Sequence, residues 1–447
     1  MPGLIQDIEL FGLDIPYLEG LREKGKAAFR LPSAKDEAYR YTKMHSLNTD
    51  DFVFQPSKFI MEMEEESCNC GHEHECSRCH DSCSCSSGCG GCCSEDNNCF
   101  LDLPFDAFQL HFSNGKFVPI YPVTPSGLEV MTLMQALLLE DAKDYIGKHI
   151  DLEKYPFAAL NTAYLEEGVF IRVHKDTRLE KPIMIINHAR PADNNIFSNI
   201  RNLIIVENGA KVEILEYYHY TGEVKSRYFN NIVNEIYLSA QAELHHYKFQ
   251  DEAYRAVHIT LNSVRIKESG VYKAFCRQKG ADLGRNETKA VLLQEQAQAI
   301  IDSAYIMNGW ATLDTTTLVE HASPLTFSNQ LIKGVVGGEA RGVFQGKIHI
   351  APMALKTEGY LLHKALLLSD TAEIDVKPEL EIFADNVKCS HGTACGELDK
   401  EQLFYMCSRG ISEDDAKQIL VDAYLDEVIN HIDNEQIRDW IKEQIRD

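Results

Sequence analysis

No apolar run in this 447-residue chain approaches the roughly 20 residues that a membrane-spanning helix needs. The start, Met1-Pro2-Gly3-Leu4-Ile5-Gln6-Asp7, has neither the basic nor the apolar part of a secretory leader, so a cytoplasmic location is expected. Basic charge is scarce: 44 Lys and Arg stand against 68 Asp and Glu, a net charge of −24. That balance argues against a nucleic-acid backbone or an anionic membrane surface as partner, since both are held by clustered cations. Nucleotide and hydrolase signatures are missing as well. Gly346-Lys347 lacks the upstream Gly and the following Ser or Thr of a phosphate-binding loop. There is no G-x-G-x-x-G after a strand pattern, no G-x-S-x-G elbow and no H-E-x-x-H. Acidic pairs occur throughout but in no recognisable catalytic frame.

What is present is unevenly placed. Ten of the 14 cysteines fall between Cys68 and Cys99, leaving Cys276, Cys389, Cys395 and Cys407 elsewhere. A disulfide framework spreads its cysteines over the fold it staples, so this clustering reads as metal or redox chemistry. Within it Cys76-Ser77-Arg78-Cys79-His80 has a C-x-x-C spacing, with Cys83 and Cys85 close behind. Cys76, Cys79, His80, Cys83 and Cys85 are therefore candidate soft-metal ligands. No second spaced pair completes a zinc template, and a disordered thiol-rich loop is the equal alternative. The tract, residues 67–99, is too polar to bury a core and reads as an insertion in the fold.

Around it lies an N-terminal region, residues 1–165, of mixed character. Residues 18–44 look helical and broken at Pro32, with Ser33 as a cap for a restart. Asn114-Gly115 supplies the positive φ angles of a hairpin turn, and residues 133–146 have the apolar spacing of one amphipathic helix. From 166 to 388 the pattern becomes short strands, with no proline between Pro191 and Pro324. A small residue after a turn recurs in Ala210-Lys211-Val212, Ala242-Glu243-Leu244, Gly270-Val271-Tyr272, Ala340-Arg341-Gly342-Val343 and Ala372-Glu373-Ile374. Such a repeat favours a parallel β-helix, each coil burying its face on the next, over a large antiparallel sandwich. His245-His246 lies in a strand, where neighbours face opposite sides, so it is a poor joint ligand pair and reads as solvated or locally hydrogen-bonded.

The stretch Asp385-Asn386-Val387-Lys388-Cys389-Ser390-His391-Gly392 closes the strand region. Alternation puts Cys389 and His391 on one face, a thiol beside an imidazole. The C-terminal region, 389–447, is helical. Ser412 caps one helix, and Ile419, Leu420, Tyr424 and Val428 form a stripe with Trp440 on a second helix. This stripe is either a cap on the solenoid or a docking surface.

The run from Lys377-Pro378-Glu379 through Lys388-Cys389-Ser390-His391-Gly392, with Leu403-Phe404-Tyr405 and Ser408-Arg409-Gly410-Ile411, resembles the SufD family of the SUF iron–sulfur cluster assembly system. Leu160-Asn161-Thr162-Ala163-Tyr164, Glu320-His321 and Gly342-Val343-Phe344-Gln345-Gly346 support the likeness, as does Lys35-Asp36-Glu37-Ala38-Tyr39, where Tyr39 stands in place of the usual Trp. The resemblance implies a right-handed parallel β-helix between helical terminal domains. It implies a non-catalytic scaffold subunit that pairs with SufB through the β-helices and binds the SufC ATPase through its C-terminal helices. A nascent iron–sulfur cluster would form at the SufB–SufD boundary, with His391 and Cys389 as the site pair. A reduced flavin is implied for the complex, although no flavin motif is present. A homodimer when SufB is absent, metal storage or delivery by the cysteine tract, and a stand-alone β-helix enzyme acting on polysaccharide remain as alternatives, the last disfavoured by the reducing-compartment cysteines.

Overall fold

The computed structural model describes residues 16–44, 47–54, 103–118, 124–138, 140–190, 194–221 and 224–446. The cysteine tract, with Cys76, Cys79, His80, Cys83 and Cys85, lies outside the described residues. The fold is mainly β, a parallel β-solenoid of about eight turns with helices near both ends. Each turn adds one strand to each of two ten-stranded sheets. Every strand pairs in register with the strand one turn on: Ile196 with Tyr228, Tyr228 with Ala256, Leu283 with Thr312, Arg341 with Glu373.

Period-two patterning makes this possible. Ile236, Val264, Ala290 and Val319 from one sheet meet Ile214, Leu244, Tyr272 and Ile301 from the other in a single core. The corners explain the recurring small residue. Gln241, Ser269 and Gln296 take positive φ, and each is followed by a small residue, Ala242, Gly270 or Ala297. The amide of each turn donates to the next one: Gln241 to Glu268 at 2.8 Å and Ser269 to Glu295 at 3.0 Å. A Cβ at Gly270 would sit 2.9 Å from Ile266 Cγ2, so the stacked corner has no room for a larger side chain.

On the N-terminal side, Asn114 and Gly115 both have positive φ and join an antiparallel hairpin, as the sequence predicts. Helices α1 (Pro16–Ala28), α2 (Leu133–Leu137), α3 (Glu140–Lys143) and α4 (Pro156–Ala163) belong to this part. Leu133, Ala136 and Leu137 pack on Phe170 and Leu203; Phe157, Leu160 and Tyr164 pack with Phe197 and Phe229. Covered on both faces, strand Ile196–Val206 is buried at every position.

Three expectations need correction here. The helix expected over 133–146 is two short ones: the Leu138 amide closes back on Gln135 and Ala136, a tight turn that ends α2. Its apolar positions Leu133, Ala136, Leu137, Ala142 and Ile146 are nevertheless all buried. Ser33 caps no helix; its amide and hydroxyl both bind the Asp36 carboxylate, and only the single 3₁₀ turn Glu37–Tyr39 follows. The strand region runs past 388, because Lys388–Glu397 is itself a strand, so Cys389 and His391 belong to the solenoid. Met1–Ser57 with Pro104–Asp447 forms one compact unit. After the last strand come α5 (Lys400–Ser408), α6 (Glu413–Ile429), whose Ser412 cap accepts from Asp415 N at 3.1 Å, and α7 (Glu435–Arg446).

Candidate functional site: the open end of the solenoid

Both sheets stop together. Glu373–Ile382 ends one and Lys388–Glu397 the other, and among the described residues neither strand has a neighbour on its outer edge. Inward side chains of the preceding turn, such as Phe344, Ile348 and Leu361, are buried; those of the last turn, Ile374, Val376, Leu380 and Cys389, are only half covered. No residue of Lys388–Glu397 is fully buried, and Phe383 at the final corner is 61% exposed. Unpaired strand edges over a half-covered apolar layer set this end apart from the closed turns behind it.

Cys389 stands opposite Gly359 and His391 opposite Leu361, both in the inward column of the last turn. The two therefore share a face, as alternation requires. A Cβ at Gly359 would lie 3.5 Å from Cys389 Sγ, an ordinary contact distance, so the thiol packs directly on this backbone. Burial raises the Cys389 pKa, partly offset by a hydrogen bond from the Gly359 amide. The thiol is protonated at neutral pH, and a metal would bind it only by displacing that proton. His391 is exposed. Cys395, opposite Ala365 in the same column, is exposed too. Among the described residues no three His, Cys, Asp or Glu side chains are grouped closely enough to hold a metal ion.

His245 and His246 do point apart, and neither is solvated. His246 Nε2 donates to Glu216 Oε1 at 2.7 Å inside the solenoid; His245 Nε2 donates to Glu243 at 2.6 Å outside it. Burial alone would raise the Glu216 pKa, but the His246 hydrogen bond and charge bring it down to about 2. His246 and Glu216 belong to an interior polar system that sequence reasoning missed. A side-chain ladder runs from Asn202 to Asn234 at 2.9 Å, to Asn262 at 2.8 Å and to Thr288 at 3.2 Å, one residue per turn. Asparagines at matching places in successive repeats were the available signal.

The proposed docking stripe divides. Trp440 and Val428 are buried, Trp440 at ring distances of 5.0 Å from Phe249, 5.4 Å from Tyr217 and 6.0 Å from Phe105. Leu420 and Tyr424 are half-buried, with the Lys333 ammonium 4.1 Å over the Tyr424 ring. Ile419 alone of the five is exposed. The face of α6 that meets the body is Ala416, Val421, Leu425, Val428 and Ile429, so the stripe read from sequence is phased about one residue off. Because α6 is apolar on two sides, periodicity cannot choose between them. Ile419 lies on the other side of α6, and the adjoining helix α5 buries no residue and exposes Phe404 (75%) and Tyr405 (59%).

Three cavities among the described residues, about 30, 20 and 10 Å³, have room for one or two waters and not for a flavin. Among the described residues no helix is long and apolar enough to cross a membrane.

Residues 188–424 match the model of the SUF-system FeS cluster assembly SufBD core domain. An iron–sulfur cluster assembly SufBD family protein of Synechocystis is 29% identical over 91% of this chain and 84% of its own. The iron–sulfur cluster assembly protein SufD of Escherichia coli is 29% identical over 77% of this chain and 80% of its own. A SufBD family protein of Staphylococcus haemolyticus is 26% identical over 64% and 60%.

Proposed function

The chain belongs to the SufBD family of iron–sulfur cluster assembly proteins, and on that premise we propose that it is a non-catalytic scaffold subunit, one half of a two-solenoid platform. The observation that carries this reading is the open end, where two sheets, an uncovered apolar layer and the Cys389–His391 column coincide. A second β-helix of the family, SufB, would cover the layer and supply the backbone partners that the edge strands lack. The nascent cluster is cargo at that seam. His391 offers an imidazole nitrogen and Cys389 a thiolate once its proton is displaced, and the remaining ligands come from SufB.

The SufC ATPase would dock on α5 and the outer side of α6, through Phe404, Tyr405 and Ile419, large apolar side chains exposed on adjoining helices. Val428 and Trp440 serve instead to hold the helices on the body. The test uses purified complexes of matched subunit content. His391→Ala is expected to abolish most cluster formation while SufB and SufC stay bound. Cys389→Ser costs as much if the thiol ligates and little if it only packs. Full cluster yield with His391→Ala overturns the assignment of the site.

A further inference from the structure

The inside of the solenoid holds a lysine where a core residue belongs. Lys248, on strand Glu243–Glu252, is 3% exposed, and its ammonium points between the two sheets. It donates to three acceptors and none is a carboxylate: His258 Nε2 at 2.7 Å, Thr260 Oγ1, and the side-chain carbonyl oxygen of Asn286. Behind the imidazole, His258 Nδ1 donates to Glu252 Oε1 at 3.0 Å. Asn286 is buried as well, and its amide nitrogen donates to Gln250 Oε1 at 3.0 Å. A carboxylate, an imidazole, an amine and an amide carbonyl therefore follow one another in sequence of contact, shut away from water.

We propose that Lys248 and Asn286 form an intramolecular isopeptide bond, with Glu252 and His258 as the groups that free the amine. The ammonium gives one proton to His258 Nε2, whose charge the Glu252 carboxylate stabilises through Nδ1. The lone pair on Lys248 Nζ then attacks Asn286 Cγ, and a second proton passes from Nζ to Nδ2. The Cγ–Nδ2 bond breaks, Nδ2 leaves as ammonia, and the ammonia takes the remaining proton from His258 Nε2 and departs as ammonium. One C–N bond replaces another, nothing is oxidised or reduced, and no co-reactant is needed. A cavity of about 30 Å³, lined by Lys248, Asn286, Thr288 and Cys276, adjoins the amide and has room for the departing ammonium.

Two physical arguments favour the step. Burial lowers the Lys248 pKa, which favours the free amine that a nucleophile must be. Bond formation also replaces a buried ammonium, costly to keep from water, with a neutral amide. Glu252 stays ionised behind the imidazole: burial would raise its pKa, but hydrogen bonds from His258 and others bring it down, which leaves a carboxylate to pair with the imidazolium as it forms. The product would tie strand Glu243–Glu252 of one sheet to Leu283–Leu292 of the other, closing 38 positions of chain.

Mass spectrometry of the full chain, unfolded after purification, decides the matter. The mass is expected to be lower than the sequence requires by one ammonia. Trypsin is expected to leave the bond after Lys248 uncut and to yield a branched peptide that contains both Lys248 and Asn286. Glu252→Gln, close in shape to the native side chain, is expected to restore the full mass, as is Lys248→Met. If the lysine variant does not fold, the digest of the unaltered chain still decides. Full mass after prolonged incubation of the folded chain overturns the proposal. So does ammonia loss without a branched peptide, which marks a cyclised asparagine instead.

Discussion

The division of the C-terminal helices into a packing side and a docking side can be tested with two aromatic substitutions. Trp440 is 5% exposed and meets Phe105, Tyr217 and Phe249, whereas Phe404 is 75% exposed. A buried tryptophan removes about 150–250 Å² from water, or about 4–6 kcal/mol at 25 cal/mol per Å². Measured truncations of this kind cost about 3–5 kcal/mol. The loss at Trp440→Ala should fall on α7, which lies outside the solenoid and can come away without unfolding it. Hydrogen exchange is therefore expected to show α7 amides losing most of their protection, with the strands nearly unchanged. Phe404→Ala should change stability by less than about 0.5 kcal/mol, as surface truncations do. It should weaken ATPase binding by about 2 kcal/mol, roughly 30-fold, as an interface anchor does. Titration of the SufC subunit into each purified variant reads both effects. The reasoning fails if Trp440→Ala keeps α7 protected, or if Phe404→Ala binds the ATPase at full strength.

Further outcomes follow from the same geometry. Val376→Lys places a charge in the half-covered last layer; the isolated chain should lose little stability, but its capture of SufB should drop at least tenfold in a pull-down, about 1.4 kcal/mol. Deleting residues 67–99 should leave SufB and SufC binding intact and lower the zinc or iron bound per chain, measured by elemental analysis; unchanged metal would reduce the tract to an insertion. His431, between α6 and α7, hydrogen-bonds Asp302 at 2.8 Å, and that bond, with the charges of Asp302, Glu427 and Asp433, raises its pKa. Its contribution is therefore complete below the ordinary histidine value of about 6.5 and lost as pH rises through the higher folded value. Burial raises the Asp302 pKa, so the pair also weakens when acid protonates that carboxyl. Exchange protection in α7 should fall on the alkaline side, and His431→Gln should flatten that dependence.

Much of the fold was readable because solenoid coils repeat one physical demand. Ala210, Ala242, Gly270, Ala340 and Ala372 recur since each corner stacks on the last, and no larger side chain fits where the backbone turns. The Cys389–His391 face followed from strand alternation alone. Other features depend on contacts far away in sequence. Whether 133–146 forms one helix or two is settled by the surface of Phe170 and Leu203 beneath it. Which side of α6 turns inward is settled by the strands it lies on, because both sides are apolar. The polar interior was hidden for a different reason. Nothing local marks Lys248, Glu216 or Asn262 as interior; it takes the register to set Lys248 beside Glu216 and Asn262 beside Asn234.

The asparagine ladder has a consequence for how the chain can change length. Coils here are not of one size, since Val257 pairs with Leu283 whereas Ile196 pairs with Tyr228. Extra residues have been taken up at corners, never between the rungs. A residue inserted within strand Ile232 to Ile236 would move Asn234 off Asn202 and Asn262 together, leaving amides unmatched above and below and turning apolar neighbours outward. Each amide thus acts as a ruler mark against which the following coil is measured. Drift in length along the strands is penalised at once, while the corners remain free to grow.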